Sequence, residues 1–251
     1  MKKVICFFFA LGLLTNINIA NTSPTPVDKR MSYTSGQKVF NWASFLNLRE
    51  APHADATVLA LLPFGSTLTV ANNQPDSRTF ASELVPDYRP FETENVMYPG
   101  KSVDGNWLRV SYEGFDGYVF DGYLSTIRPY RKNSQEENWE VMENFISKKY
   151  PGSTEEFIEE EGVDRIVSPD EKMDYRFSQD DYSATHELKL LGVNMEEALM
   201  LATKLFSVQG IKTINSKQIG LFIENEFNCT LVIKKEDDGS RIVLSFWDGG
   251  C

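Results

Sequence analysis

The chain is short of the residues that metal and nucleophile chemistry draw on. It has two histidines, His53 and His186, and three cysteines, Cys6, Cys229 and Cys251. A zinc hydrolase site takes three protein ligands, commonly two of them histidines. Here no His-Glu-x-x-His spacing exists, and the two histidines fall in stretches that read as different domains. Cations are also scarce. Lys plus Arg is 25 against 36 Asp plus Glu, a net charge of −11. Phosphate backbones are bound by clustered cations, so nucleic acid is excluded as the expected partner. No long hydrophobic run is present. The most apolar stretch, Val4–Leu14, is about eleven residues, against ~20 for a bilayer span. With 41% hydrophobic and 12% aromatic residues, the composition excludes disordered, collagenous and low-complexity classes.

What is present begins with an address. Lys2 and Lys3 precede the apolar run, and the segment ends at the small residue Ala20. A basic flank, a short apolar core and a small residue read as a secretory signal peptide over residues 1–20. Cys6 lies inside the run and leaves with it. The mature chain carries −13 once Lys2 and Lys3 are removed. It is expected to be exported, to the periplasm or the medium, with no membrane span.

Residues 21–32, with Pro24 and Pro26 among polar residues, read as a flexible leader. A domain of residues 33–130 follows. It is punctuated by Gly, Pro, Asn and Asp between short apolar runs, the all-β pattern. Strands are expected at 45–49, 57–62, 67–70, 107–112 and 115–120, with Tyr123-Leu124 closing the unit. Gly117 marks a close backbone approach. Between 71 and 105 the chain is polar, with four prolines and little periodicity. It reads as a long loop, a feature often tied to function.

Residues 131–251 form the second domain and hold most of the charge deficit: −10, against −3 for residues 21–130. The reading here is α+β with an antiparallel sheet. Ser134-Gln135-Glu136-Glu137 fits a capping box, followed by Trp139, Met142, Phe145, Ile146 and Tyr150 at helical spacing. The acidic stretch 155–161 reads as a short helix. Asn194 caps an amphipathic helix carrying Met195, Ala198, Leu199, Ala202, Leu205 and Phe206, with Gly210 as its stop. Strands follow near 219–224, 230–235 and 241–247. A two-residue Asp238-Gly239 turn sets Ile233 against Leu244 and Leu231 against Phe246. The same register brings Cys229 near Cys251. A disulfide there closes a small loop at the chain end; two free thiols are the alternative.

The pieces of the first domain resemble the bacterial SH3 (SH3b) family. The resemblance runs through Leu46-Asn47-Leu48-Arg49-Glu50-Ala51-Pro52, Val58 to Val70, Asn106 to Tyr112, and Gly117-Tyr118-Val119 with Gly122-Tyr123-Leu124-Ser125. It covers residues 40–127 and implies an SH3-like barrel with residues 71–105 inserted where the family has a short turn. SH3-type barrels recognise extended peptides in aromatic-lined grooves. By resemblance the groove takes Glu50, His53 and Asp55 from one loop and Trp107, Tyr118 and Tyr123 as aromatic contacts. The implied ligand is a cell-wall peptide or envelope protein.

SH3b modules often accompany wall peptidases, but in those the cysteine precedes the histidine and opens a helix, where its thiolate is stabilised. Here His186 precedes Cys229, which reads as mid-strand. Glu155, Glu156, Glu159, Glu160 and Glu161 read as a solvated face, with no Asp-x-Asp-x-Asp-Gly loop for calcium. Asn228-Cys229-Thr230 matches a glycosylation sequon by chance. The expectation is a non-enzymatic binding protein with no metal and no cofactor. The alternative is a secreted inhibitor or assembly protein acting through its acidic half on a basic partner.

Overall fold

A computed structural model describes residues 33–71, 76–87, 97–133, 135–137, 140–181, 183–223 and 230–249. Residues 1–20, expected to be a signal peptide, the expected leader 21–32, Tyr88, Phe91, Ser134, Trp139 and the pair Cys229 and Cys251 lie outside the described residues.

The elements run β1 (Lys38–Asn41), β2 (Phe45–Arg49), β3 (Val58–Pro63), β4 (Thr67–Val70), β5 (Asp76–Val85), β6 (Lys101–Tyr112), β7 (Phe115–Phe120), a 3-10 turn (Asp121–Tyr123) and β8 (Leu124–Ser125). Then come α1 (Glu140–Lys149), β9 (Thr154–Ile158), β10 (Val163–Val167), β11 (Met173–Gln179), β12 (Ser183–Leu191), α2 (Met195–Leu205), β13 (Val208–Asn215), β14 (Gln218–Ile223), β15 (Thr230–Lys235) and β16 (Arg241–Gly249). They form two sheets. The first has the order β3-β2-β7-β6-β4-β1-β8, with β5 added to β6. The second has the order β13-β14-β15-β16-β12-β11-β10-β9, every pair antiparallel.

Alternation explains the strands. In β2, Leu46 and Leu48 are buried and Phe45 is exposed. In β12, His186, Leu188 and Leu190 go inward. Gly117 does what its position suggested: a Cβ there would meet the Arg49 carbonyl at 2.6 Å.

Four expectations are corrected. Residues 71–105 are not one long loop: β5 pairs with the early part of β6, so the insertion carries a hairpin that widens the sheet. The second half is mostly sheet, eight strands with helices of 10 and 11 residues, and α+β overstates its helix. The stretch 155–161 holds β9, not a helix. Its Glu155 and Glu156 stand on an edge strand, where charge opposes pairing with another chain. Gly210 lies within β13; α2 ends at Leu205, where Phe206 takes extended backbone.

Two further details refine the reading. α1 is bounded at Glu140, whose Oε2 accepts from Glu137 N at 3.0 Å, and the Glu136 carboxylate inside the expected capping box receives Asn133 N, Tyr130 Oη and Lys148 Nζ. The β15–β16 register sets Ile233 against Leu244 as expected, but Glu236 N donates to Arg241 O around a four-residue loop. For α2 the cap is as read, with Asn194 Oδ1 accepting from Glu197 N at 2.8 Å.

The two sheets meet at Asn41-Trp42. Both side chains are fully buried. Asn41 Nδ2 donates to the Leu62 and Pro63 carbonyls, each at 3.0 Å, and its Oδ1 accepts from Ala43 N. Trp42 Nε1 donates to Ile127 O at 2.9 Å. The Trp42 ring stands edge-on to Phe64 at 6.0 Å and to Phe145 of α1 at 5.9 Å. Trp42, Val85, Ile127 and Tyr130 thus join the core beneath α1 and α2, while most of the first sheet fills a core of its own. The segment after β8 is pinned as well, since Arg128 N donates to Tyr150 Oη at 3.0 Å.

Truncating Trp42 removes a large buried ring and its bond together. Trp42→Ala should cost about 3–5 kcal/mol. Trp42→Phe should cost less, the bond to Ile127 being worth about 1 kcal/mol. In urea unfolding, fluorescence and circular dichroism should report one shared transition in the parent chain, and Trp42→Ala should split or weaken it.

Candidate functional site

Three strands of the first sheet build one cross-strand row. Tyr118 on β7 lies opposite Arg109 on β6 and opposite Arg49 on β2. Directly opposed residues share a face, so the row reads Arg109, Tyr118, Arg49. Arg49 continues to Val58 on β3. Arg109 is exposed, while Tyr118 and Arg49 are half-buried.

Arg49 also ties this row to the loop 50–57. Its Nη1 donates to Ala56 O at 2.7 Å. The loop is braced internally: Glu50 N donates to Thr57 O, His53 N to Ala51 O, and Ala56 N to His53 O. Glu50, His53 and Asp55 stand exposed on it. Expected site residues Glu50, His53, Asp55 and Tyr118 therefore share one end of the sheet, through Arg49.

The other two aromatic contacts are placed differently. Trp107 lies opposite Phe120, on the same side of the β6–β7 hairpin as Tyr118, but is only 5% exposed. It is core beneath this face, not a surface for a ligand. Tyr123 is enclosed by the insertion and by α2. Its hydroxyl lies 2.9 Å from Ser82 Oγ and donates to Glu83 O at 3.1 Å, both on β5. Lys204 Nζ sits 5.3 Å from the centre of its ring, and Phe120 meets the ring edge-on at 5.6 Å. The hairpin made by β5 thus covers Tyr123 and leaves Tyr118 open.

Arg49 and Arg109 were missed as site residues. Their link to Tyr118 needs the register of three strands. The signal available was the Leu-Arg at 48–49 and the Leu-Arg at 108–109, each at the end or middle of an alternating run.

Two cavities lie away from this face. One, about 30 Å³, is lined by Tyr33, Asp104, Asp121 and the start of α2, including Asn194, Glu196 and Glu197. Glu197 is buried there, and neither carboxylate oxygen completes a hydrogen bond of good geometry. Burial pushes its carboxyl up to about 7, with the Ser125 hydroxyl and the Asn194 and Thr126 backbone opposing. The larger cavity, about 420 Å³, lies on the second sheet beside α1. Its wall includes His186, whose Nδ1 is 2.9 Å from Tyr175 Oη. The two histidines are therefore apart, His53 on an exposed loop of the first sheet and His186 buried in the second. Among the described residues no cluster of three or more His, Cys, Asp or Glu could hold a metal ion. No helix is long and apolar enough to cross a membrane among those residues.

Residues 44–125 match the family model of the bacterial SH3 domain. The matched span runs from the turn before β2 through β8 and contains the Arg109-Tyr118-Arg49 row. No curated protein matches the chain. A solved structure titled "Structure of NlpC2 from Trichomonas vaginalis" aligns over 84% of this chain and 92% of its own, at 10% identity and a TM-score of 0.15. That score is too low to establish a common fold.

The Glu197 carboxyl carries a pH consequence. Folded, it keeps its proton up to about pH 7; unfolded, it loses the proton in the ordinary glutamate range. Its contribution to stability is therefore most favourable below that range and declines as pH rises toward about 7. Glu197→Gln, which cannot ionise, should flatten this decline and stabilise the protein at pH 8 by about 1–3 kcal/mol. Urea midpoints across pH 4 to pH 8 measure it.

Proposed function

We propose that this chain is an exported, non-enzymatic binding protein of the cell envelope, and that its SH3-like sheet recognises a carboxylate-bearing wall peptide. The observation that carries this reading is the row Arg109-Tyr118-Arg49 beside the loop 50–57. It offers a ring for apolar contact and two guanidiniums for carboxylates, in a protein otherwise short of cations. Guanidinium forks suit carboxylate geometry, and aromatic-lined faces are how SH3-type barrels take extended peptides. The match of residues 44–125 to the bacterial SH3 domain supports the same assignment.

Glu50, His53 and Asp55 form the rim in this reading and select the peptide register. In this reading Trp107, on the same side as Tyr118 but buried, anchors the face to the core, and Tyr123 packs against β5 instead of the ligand. The basic start of the chain, followed by Val4–Leu14 and Ala20, supplies the export signal. A binding role without turnover fits the separation of the two histidines and the engagement of His186 by Tyr175.

The protein should co-sediment with purified peptidoglycan, and binding should persist across a moderate salt series. Tyr118→Ala should lower the affinity by about tenfold, as loss of an aromatic anchor does. Arg109→Ala should lower it less and reduce the salt dependence. Tyr123→Phe should leave binding unchanged, because that residue is turned toward β5. Equal pelleting of the parent and Tyr118→Ala chains would remove this face as the site. No pelleting at all would turn the search to an envelope protein as ligand.

A further inference from the structure

The 420 Å³ cavity on the second sheet has a composition that the first site does not explain. Its position follows from register. Phe157, Asp164, Phe177, His186 and Phe246 form one row across β9, β10, β11, β12 and β16. The adjoining row is Glu155, Ile166, Tyr175, Leu188 and Leu244. α1 lays Val141, Met142, Phe145 and Ile146 on the inner part of this face. Beyond its cover the rows open into the cavity.

The floor is aromatic. The Phe177 and His186 rings are 4.9 Å apart, and Tyr175 bonds to the same imidazole. Phe157 stands at the mouth, 60% exposed.

The rim is acidic. Glu143 from α1, Glu155 from β9 and Asp164 from β10 all line the cavity. None of them is in an ion pair among the described residues. They act on one another: the Glu143 carboxyl is raised by burial and then by Glu155, Glu140 and Asp164. The Tyr175 hydroxyl is raised by burial and then by Glu143 and Asp164. The opposite face of the same strands is different. There Arg165 meets Asp174 at 3.0 Å and Glu156 at 2.7 Å, and Arg176 meets Glu161 at 3.3 Å. Arg165 and Glu156 also reach the cavity wall, but they pair with each other at 2.7 Å and Asp174 holds the guanidinium from its other side. On that face each of these acids thus has a guanidinium partner. The other leaves three acids unneutralised around an aromatic cavity, and that asymmetry points to a cation from outside.

A calcium ion wants six to eight oxygen ligands, which an aromatic floor cannot supply. An organic cation uses both components. Rings attract an ammonium group through their faces and cover its methylene stem, while carboxylates meet the charge. The cavity falls in the size range of small-ligand sites.

We propose that this cavity binds an alkylammonium group, the chemistry shared by a lysine side chain and a free diamine. The stem lies against Phe157, Phe177 and Tyr175, and the ammonium is held by Glu143, Glu155 and Asp164. The site stands independently of the wall-binding face.

The test is calorimetric titration of the full chain with 1,5-diaminopentane and with Nα-acetyl-lysine methylamide, using 1,5-pentanediol as the neutral control. Saturable one-site binding of an amine, absent for the diol, is expected. The tighter of the two amines identifies the source as free diamine or lysine side chain. Asp164 and Phe157 are exposed, so their substitutions should leave the fold intact. Asp164→Asn should weaken binding about tenfold and Phe157→Ala about threefold. Tyr118→Ala should change nothing here, which separates this site from the first. No saturable binding of either amine, equal binding of the diol, or indifference to both substitutions would overturn the proposal. So would calcium binding that excludes the amines.

Discussion

The structure depends on how Asn41 and Trp42 are buried between the two sheets. Both sit at the end of β1, and both carry polar atoms that cannot be left unpaired in a core. Asn41 spends its amide on the β3–β4 corner. Trp42 spends its indole N–H on Ile127, past the last strand of the first sheet. The ring then lies between Phe64, on the first sheet's corner, and Phe145, on α1. These bonds fix where the segment after β8 starts, and so where α1 and the second sheet lie against the first. With that docking in place, β5 and α2 close over Tyr123. The same closure does not reach Tyr118 on the preceding strand, which is half-buried.

Much of the first sheet was legible because its strands alternate. Phe45-Leu46-Asn47-Leu48-Arg49, Thr67–Val70 and Phe115–Phe120 are expected with their observed bounds, since buried positions such as Leu46 and Leu48, Leu68 and Val70, and Gly117 and Val119 recur every second residue along the pleat. The β15–β16 pairing was legible for the same reason. β5 was not, because its neighbours in sequence are polar and rich in proline. The strand exists because the early part of β6 offers it backbone partners. β9 was read as a helix because five glutamates within seven residues resemble a solvated helical face; its position at a sheet edge is a tertiary fact.

The candidate sites divide in the same way. Glu50, His53, Asp55 and Tyr118 could be named from resemblance, since short motifs carry them. Trp107 and Tyr123 are aromatic in the same motifs, but the inserted hairpin and the core claim them. Arg49 and Arg109 became visible only when three strands were in register. The acidic cavity needed four strands and a helix. Its acids are 21 residues apart along the chain at the widest, from Glu143 to Asp164, and look like ordinary surface charge in sequence. The two faces have opposite character: guanidiniums around a tyrosine on the first sheet, carboxylates around aromatic rings on the second. A single acidic net charge conceals both.

The most direct test is to map backbone amide shifts while soluble wall-peptide fragments are titrated into the labelled protein. The account predicts shifts concentrated at Arg49, residues 50–57, Arg109 and Tyr118, with Tyr123 and the second sheet quiet. Shifts confined to the second sheet, or none at saturating peptide, would contradict it.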